Sequence, residues 1–385
     1  MKKPRLPFYF LWVIFVLISC NRLENETIQT IVPLKTTTYT DDFSLFVDTL
    51  IFIPVQSSSG DIISVVSKIL IDNNDNFILK DEILGIQVID ETGQYIGSIG
   101  NKGRGPGEYT DITDMCITPD GEYIWLLHSS GVSKYKISDG KFVLKINFEQ
   151  VNYDAICASD NGGFYLFSSN PPDESNFEEH FYALTQFDNN GVKIREFLPR
   201  KDFVFTQGIF TQSYDKSTIM RPQEGDNIAY KIGKDIIPFL KIDFQQQAIP
   251  LKYIFNNGGD LFEGMKNYLF SDYYKLPIHI HDTKEHLYFS SIGPDALQND
   301  FVLSKSNNKG FRWAYESSNN DPFFIMASDS NYFYTVIYCD SSDIKDNKSK
   351  TTTLREFILN KLAQMHGYTN GAFIVKLRFK TNVVS

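Results

Sequence analysis

Three histidines, His279, His281 and His286, fall within eight positions of one another, and imidazole is a common ligand of zinc and copper. In an extended strand His279 and His281 project from one face, whereas His286 lies beyond a turn. No cysteine or further histidine at a familiar ligand spacing joins them. The cluster therefore reads as packed or exposed histidines, and neither metal nor other cofactor is expected. The run Asp72-Asn73-Asn74-Asp75-Asn76 is rich in oxygen ligands but lacks the glycine and distant glutamate of an EF-hand loop; it reads as a hairpin turn. A glycine-rich stretch, Ile99 to Tyr109, has no Gly-Lys-Ser/Thr and no third glycine at dinucleotide-binding spacing, and Pro106 stands where a helix would have to start. Neither a Gly-x-Ser-x-Gly elbow nor a His-Glu-x-x-His pair occurs, and with 47 acidic residues chance pairs of carboxylates are expected.

The elements that would position such residues repeat. An apolar strand runs into an Asp-containing turn and a second, aromatic-rich strand follows, with the aspartates at Asp72, Asp120, Asp160, Asp215, Asp282 and Asp329. The steps between them are 48, 40, 55, 67 and 47 residues. A propeller blade of four short antiparallel strands takes roughly 40 to 50 residues, so the longer steps imply insertions. Asp-Gly and Asn-Gly at the turns supply the positive φ of tight hairpins. Some units continue with a third and fourth strand, as in Ile86–Ile89 and Tyr95–Ile99. The spacing predicts an all-β, six-bladed β-propeller over residues 43–385. An early strand, Thr49–Val55, has no partner of its own and is expected to join the last blade and close the ring, because an unpaired edge invites aggregation. Thr353 to Met365 carries a helical apolar face with Thr353 and Glu356 as a capping box. Residues 252–275 read as an insertion with a short helix.

In this scheme the glycine-rich stretch links the outer strand of one blade to the inner strand of the next, on the face where propellers usually hold ligands. Arg104, Glu108 and Tyr109 are the candidate binding residues there, although Arg104 and Glu108 read better as a pair across neighbouring blades.

At the amino terminus Lys2, Lys3 and Arg5 precede an uncharged run from Leu6 to Ile18, the layout of a signal peptide and too short for a membrane-spanning helix of roughly 20 residues. Leu17-Ile18-Ser19-Cys20 resembles the lipobox of bacterial lipoproteins. That resemblance implies cleavage after residue 19 and acylation of Cys20, a membrane anchor worth roughly 0.8 kcal/mol per buried methylene. Asn21 stands where an aspartate would favour inner-membrane retention in many bacteria, which points to the outer membrane. Residues 20–42, polar and with Thr36, Thr37 and Thr38 in a row, read as a tether.

Removal of the signal would leave 34 basic residues against 47 acidic, a formal charge of −13. Such a surface argues against nucleic acid, whose affinity comes mostly from neutralising phosphates. Aromatic residues make up 15% of the chain, 32 Phe and 21 Tyr, which favours strands. Cys116, Cys157 and Cys339 are an odd number with no close pair, all in apolar runs, and read as buried free thiols.

The stretch Ile99 to Tyr109, the preceding Gln87-Val88-Ile89-Asp90 and the hairpin from Asp72 to Leu79 resemble the six-bladed β-propeller lipoproteins common in gut-dwelling Bacteroidetes, relatives of NHL-repeat propellers. The likeness is clear over residues 45 to 170 and at the carboxyl end and weak from about 200 to 275. It implies fold and an envelope location, not a chemistry. The functional expectation is a non-catalytic module on the cell envelope that binds a glycan, peptide or protein. The alternative is an envelope lyase or hydrolase with its site in the channel: converging carboxylates or histidines would favour it, an aromatic platform the binding reading.

Overall fold

The computed structural model describes residues 28–56, 63, 65–148, 153–169, 181–200, 208–223, 227–250, 266–315, 323–339, 353–364 and 370–381. The signal-like segment, Cys20 and most of the insertion expected at 252–275 lie outside them; residues 266–269 of that insertion are helical.

Three strands come first: β1 (Gln29–Ile31), β2 (Thr37–Tyr39) and β3 (Val47–Pro54), with a one-turn helix, α1 (Pro33–Thr36), between the first two. Six sheets follow in a ring. Blade 1 is β4 (Val66–Ile71), β5 (Phe77–Asp81), β6 (Gly85–Ile89) and β7 (Tyr95–Ile99). Blade 2 is β8 (Asp114–Ile117), β9 (Tyr123–His128), β10 (Gly131–Lys136) and β11 (Phe142–Asn147). Blade 3 is β12 (Ala155–Ala158), β13 (Phe164–Phe167), β14 (Phe181–Phe187) and β15 (Lys193–Arg200). Blade 4 is β16 (Phe210–Gln212), β17 (Thr218–Met220), β18 (Ile228–Ile232) and β19 (Ile236–Ile242). Blade 5 is β20 (Ile278–Asp282), β21 (His286–Ile292), β22 (Gln298–Ser304) and β23 (Gly310–Tyr315). Blade 6 has β24 (Ala327–Ser328), β25 (Phe333–Cys339) and β26 (Gly371–Phe379) from its own stretch of chain, and β3 as its outer strand. That antiparallel pairing, with Leu377 opposite Leu50 and Ile374 opposite Ile53, is the closure expected of the early strand.

The tether reading of residues 20–42 does not hold for the part described. β1 pairs in parallel with β19, Gln29 opposite Leu240, and β2 pairs in parallel with β23, Thr37 opposite Gly310. Blades 4 and 5 are thereby five-stranded, and Ile31 is buried. The physical reason is that the outer edge of a blade offers a row of unpaired backbone groups that any extended segment can satisfy, a threonine-rich one included.

The buried hydrophobic residues form six clusters, one at each blade-to-blade junction. Leu70 and Ile78 of blade 1, for instance, pack with Met115, Leu126 and Tyr135 of blade 2. Removing any one blade therefore strips two clusters at once, which is why the ring holds only as a whole. The expected helix is α2 (Leu354–Ala363), inserted between β25 and β26 with both hydrogen bonds of its capping box formed: the Glu356 amide donates to Thr353 Oγ1 and the Thr353 amide to Glu356 Oε2. Leu354, Ile358, Leu359 and Leu362 join the junction of blades 5 and 6. No helix among the described residues is long and apolar enough to cross a membrane.

Five of the six aligned aspartates sit in turns between the first two strands of a blade. Asp72 Oδ1 accepts from the amides of Asn74 and Asn76 at 2.8 and 2.9 Å, which makes the Asp72-to-Asn76 run a hairpin turn. Asp120, Asp215 and Asp329 hold their turns in the same way. Asp282 departs from the pattern, and Thr283 makes the turn bonds in its place. At the outer hairpin of blade 1, on the same end of the sheet, Gly93 (φ +93°) lies so close to blade 6 that a Cβ would fall 2.0 Å from the Pro54 carbonyl.

Candidate functional site

The first strand of each blade faces the axis, and around their starting ends lies a cavity of about 590 Å³. All six contribute to its wall, through Lys68 in blade 1, Asp114 in blade 2, Ala155 in blade 3, Thr211 in blade 4, His279 and His281 in blade 5 and Ala327 in blade 6. Phe324, which leads into β24, and Arg355 of α2 complete the mouth. This is the face on which one blade hands over to the next. The far end is closed from opposite sides of the ring: Lys216, at the β16–β17 turn of blade 4, donates to the carbonyls of Ile71 and Asp72 in blade 1 at 3.2 and 3.4 Å.

The wall is also the inner stitching of the ring. Lys68 Nζ lies 2.6 Å from Asp114 Oδ1, and Asp114 Oδ2 accepts from the Ile156 amide at 2.9 Å, so a single carboxylate ties blades 1, 2 and 3. The Tyr338 hydroxyl accepts from the Val66 amide at 2.6 Å, joining blade 6 to blade 1. Thr211 Oγ1 donates to the Ile280 carbonyl across blades 4 and 5. Below it, Asp282 accepts from Ser213 Oγ (2.7 Å), the Tyr214 amide (3.3 Å) and Lys305 Nζ (2.6 Å). Asp282 thus fastens blade 4 to blade 5, which explains why it has left its own turn to Thr283.

His279 and His281 both line the cavity, though not by simple alternation. β20 carries a register shift between Ile278 and His281, and His279 has φ +50°. The His279 ring stacks on Phe324, centroids 4.3 Å apart and planes 16° apart. Burial, aided by the Arg221 charge, lowers the His279 pKa to about 4, and burial next to His279 lowers that of His281 to about 3. Both are neutral imidazoles at pH 7. Nδ1 of His281 is buried without a hydrogen-bond partner. His286 does not join them: it opens β21, and its ring lies 6.4 Å from that of Phe379. Among the described residues no three His, Cys, Asp or Glu side chains are placed to hold a metal ion.

The candidates in the glycine-rich link lie elsewhere. The segment does connect β7 to β8, as expected, but it folds on itself: Glu108 Oε2 accepts from the Gly105 amide at 2.7 Å. The Tyr109 hydroxyl is buried, accepting from the Ile86 amide (3.1 Å) and donating to the Ile99 carbonyl (3.2 Å). Arg104 is exposed and makes no ion pair with Glu108, so the pairing across blades is not formed. None of the three lines the cavity. Cys116, Cys157 and Cys339 are free and buried.

Sequence reasoning missed Lys68, Asp114 and Phe324. The available signal was a charged side chain inside the first, axis-facing strand of a repeated unit: Lys68 interrupts Val65-Val66-Ser67-Lys68-Ile69-Leu70. Phe324 gives no such signal among 32 phenylalanines.

A candidate exported protein of Bacteroides fragilis, known from a crystal structure, is similar with a TM-score of 0.69 and 16% identity over 90% of this chain and 98% of that one. At that identity the likeness speaks for the fold alone. Virginiamycin B lyase of Staphylococcus aureus (TM-score 0.42, 10% identity, 86% of this chain and 99% of that one) and hydrazine synthase of Kuenenia stuttgartiensis (0.40, 14%, 73% and 74%) are more distantly similar. No curated protein matches the chain. The family described as Domain of unknown function (DUF4934) matches residues 28–370, from the residue before β1 to the one before β26, and the chain belongs to that family.

Proposed function

We propose that this protein is a lipid-anchored module of the cell envelope, held by an acylated Cys20 at the outer membrane, whose propeller binds a ligand at the axial cavity without catalysing a reaction. The observation that carries the binding reading is the cavity itself: about 590 Å³ falls within the range of small-molecule sites, roughly 300–1,000 Å³, and it joins apolar walls to a few convergent polar groups. Its side chains argue for binding over turnover. General acid–base catalysis wants a pKa near the working pH, whereas both cavity histidines are held neutral far below it. Asp114 is committed to Lys68 and the Ile156 amide, and Asp154 to the Ser169 amide. The envelope location is supported by the signal-like residues 1–19 and the lipobox resemblance at Leu17–Cys20. The acidic excess of the mature sequence argues against a polybasic membrane patch, so the membrane is reached through the acyl chains.

Two measurements test the two halves. Mass spectrometry of the mature amino terminus should find Cys20 acylated; a free or uncleaved terminus overturns the anchor. Calorimetry of residues 21–385 against glycans and peptides should give binding that Phe324→Ala weakens about tenfold, the loss of roughly 1.4 kcal/mol of aromatic contact. Binding that Phe324→Ala leaves unchanged would move the site away from the axis.

A further inference from the structure

We infer that the axial cavity takes an uncharged, hydroxylated ring, of the kind a neutral sugar presents, laid against Phe324 with one hydroxyl donated to Nδ1 of His281. This deepens the binding reading above and rests on it.

The charges on the cavity wall are already spent. Lys68 is paired with Asp114 at 2.6 Å and Lys80 with Glu82 at 2.6 Å. Asp154 accepts the Ser169 amide at 2.7 Å, and Arg355 is engaged by neighbours of its own. A charged ligand entering the cavity would have to break one of these pairs or remain uncompensated, and either is costly in a partly buried site. The two imidazoles add no charge near neutral pH.

What the wall does lack is a donor for one buried acceptor. A neutral imidazole has one nitrogen that donates and one that accepts. Nδ1 of His281 stands without a partner, in a residue only 2% exposed, and in the neutral ring it can serve as the acceptor. A buried acceptor left unmade is unfavourable, and a ligand O–H is the group that removes the penalty. On the same wall Phe324 is half-buried, one side stacked on His279, so that aromatic carbon is what it offers the cavity. Val66, Ile69 and Met326 extend the apolar wall. An apolar platform next to an unmet acceptor is complementary to a ring with C–H groups on one face and hydroxyls at its edge. An extended peptide would bring several N–H donors, whereas among the described residues only one buried side-chain atom of this wall, His281 Nδ1, lacks a partner.

The test uses residues 21–385 with calorimetry against neutral oligosaccharides, acidic uronic-acid oligomers, basic glucosamine oligomers and neutral tripeptides, at 50 and 500 mM NaCl and at pH 5.5 to 8. We expect neutral oligosaccharides to bind, with affinity changing less than threefold across salt and across pH. Phe324→Ala should weaken binding at least tenfold, Phe324→Tyr less than threefold, and His281→Phe at least fivefold. If His281→Phe fails to fold, the salt and pH profiles of the native protein still decide. Binding confined to acidic or basic oligomers and falling tenfold or more in high salt overturns this inference while sparing the binding module. Preference for the tripeptides does the same. No binding by any probe overturns both.

Discussion

Blades 1 to 3 and blades 4 to 6 are built differently. In the first three, all four strands come from one contiguous stretch and pair as successive hairpins. In the last three, each blade takes one strand from residues 29–54: β1 on blade 4, β2 on blade 5 and β3 on blade 6. The pairings Gln29 to Leu240, Thr37 to Gly310 and Leu50 to Leu377 are among the longest-range contacts in the molecule. One half of the ring can assemble from local turns; the other is fastened by a belt that runs past blades 4, 5 and 6 in order. The half with the belt also carries the two cavity histidines and α2, so the site's most buried polar groups belong to the less local half.

The sharpest way to break this comparison is to cut the belt in two places. A chain begun at residue 56 loses β3, leaving β26 with an open edge; it should show no cooperative thermal transition by circular dichroism and should elute as aggregate. A chain begun at residue 41 keeps β3 and should stay folded. It loses mainly the burial of Ile31 and the edge pairings, about 2 kcal/mol and a fall in Tm of roughly 3 °C. Equal melting of the two would make the distinction between closure and decoration false.

Acid should loosen blade 5 before blade 2. Three of the four described histidines, His279, His281 and His286, lie in blade 5, and burial lowers the pKa of each. Their unfolded forms bind the proton more tightly, so their contribution to stability is full above about pH 6.5 and drains away as pH falls towards the folded values of about 4 and 3 for the cavity pair. Asp300 in the same blade has the opposite sign. Burial raises its pKa to about 6, so its contribution is full below about pH 4 and is lost as pH rises to about 6. The histidine shifts are the larger, and the net loss between pH 6.5 and 4 should be on the order of 3 kcal/mol. Denaturant melts should show this slope, reduced by His281→Asn and steepened by Asp300→Asn. Hydrogen exchange should show blade 5 amides losing protection first.

A smaller effect should separate the buried thiols. Burial raises the pKa of Cys116 and Cys157, and since the thiolate is the reactive form, native labelling waits on local opening. Cys339, at the end of β25 and dependent on the β26–β3 closure, should label first, on the order of tenfold faster, a difference of about 1.4 kcal/mol in opening. Faster labelling of Cys116 in blade 2 would reverse the ranking of the two halves. The smallest change belongs to the glycine-rich link: Arg104→Ala, on an exposed side chain, should alter stability by less than about 0.5 kcal/mol and leave ligand affinity unchanged.

Much of the ring was legible in the residues. The recurring aspartate turns, the glycines at positive φ and the apolar strands between them located the first hairpin of all six blades, the weak fourth included. The Thr353–Glu356 capping box placed α2. Local rules suffice here because a hairpin's turn chemistry and its alternation are written within a dozen residues. The candidate site was legible only in part. His279 and His281 stood out by spacing, yet no local pattern distinguished them from His286, or placed Arg104 and Tyr109 away from the cavity.

What the sequence alone determined is therefore the repeating unit, its count and the closing role of the early strand, since each follows from short-range periodicity and from the need to pair an edge. Tertiary structure alone decided that residues 29–31 and 37–39 are strands and that Asp282 serves a neighbouring blade. It alone brought Lys68, Asp114, Phe324 and His281 to one cavity. Edge pairing runs through backbone hydrogen bonds that leave no side-chain signature in a three-residue segment, and convergence on the axis depends on how six separate sheets are set around it, which no single stretch of chain contains.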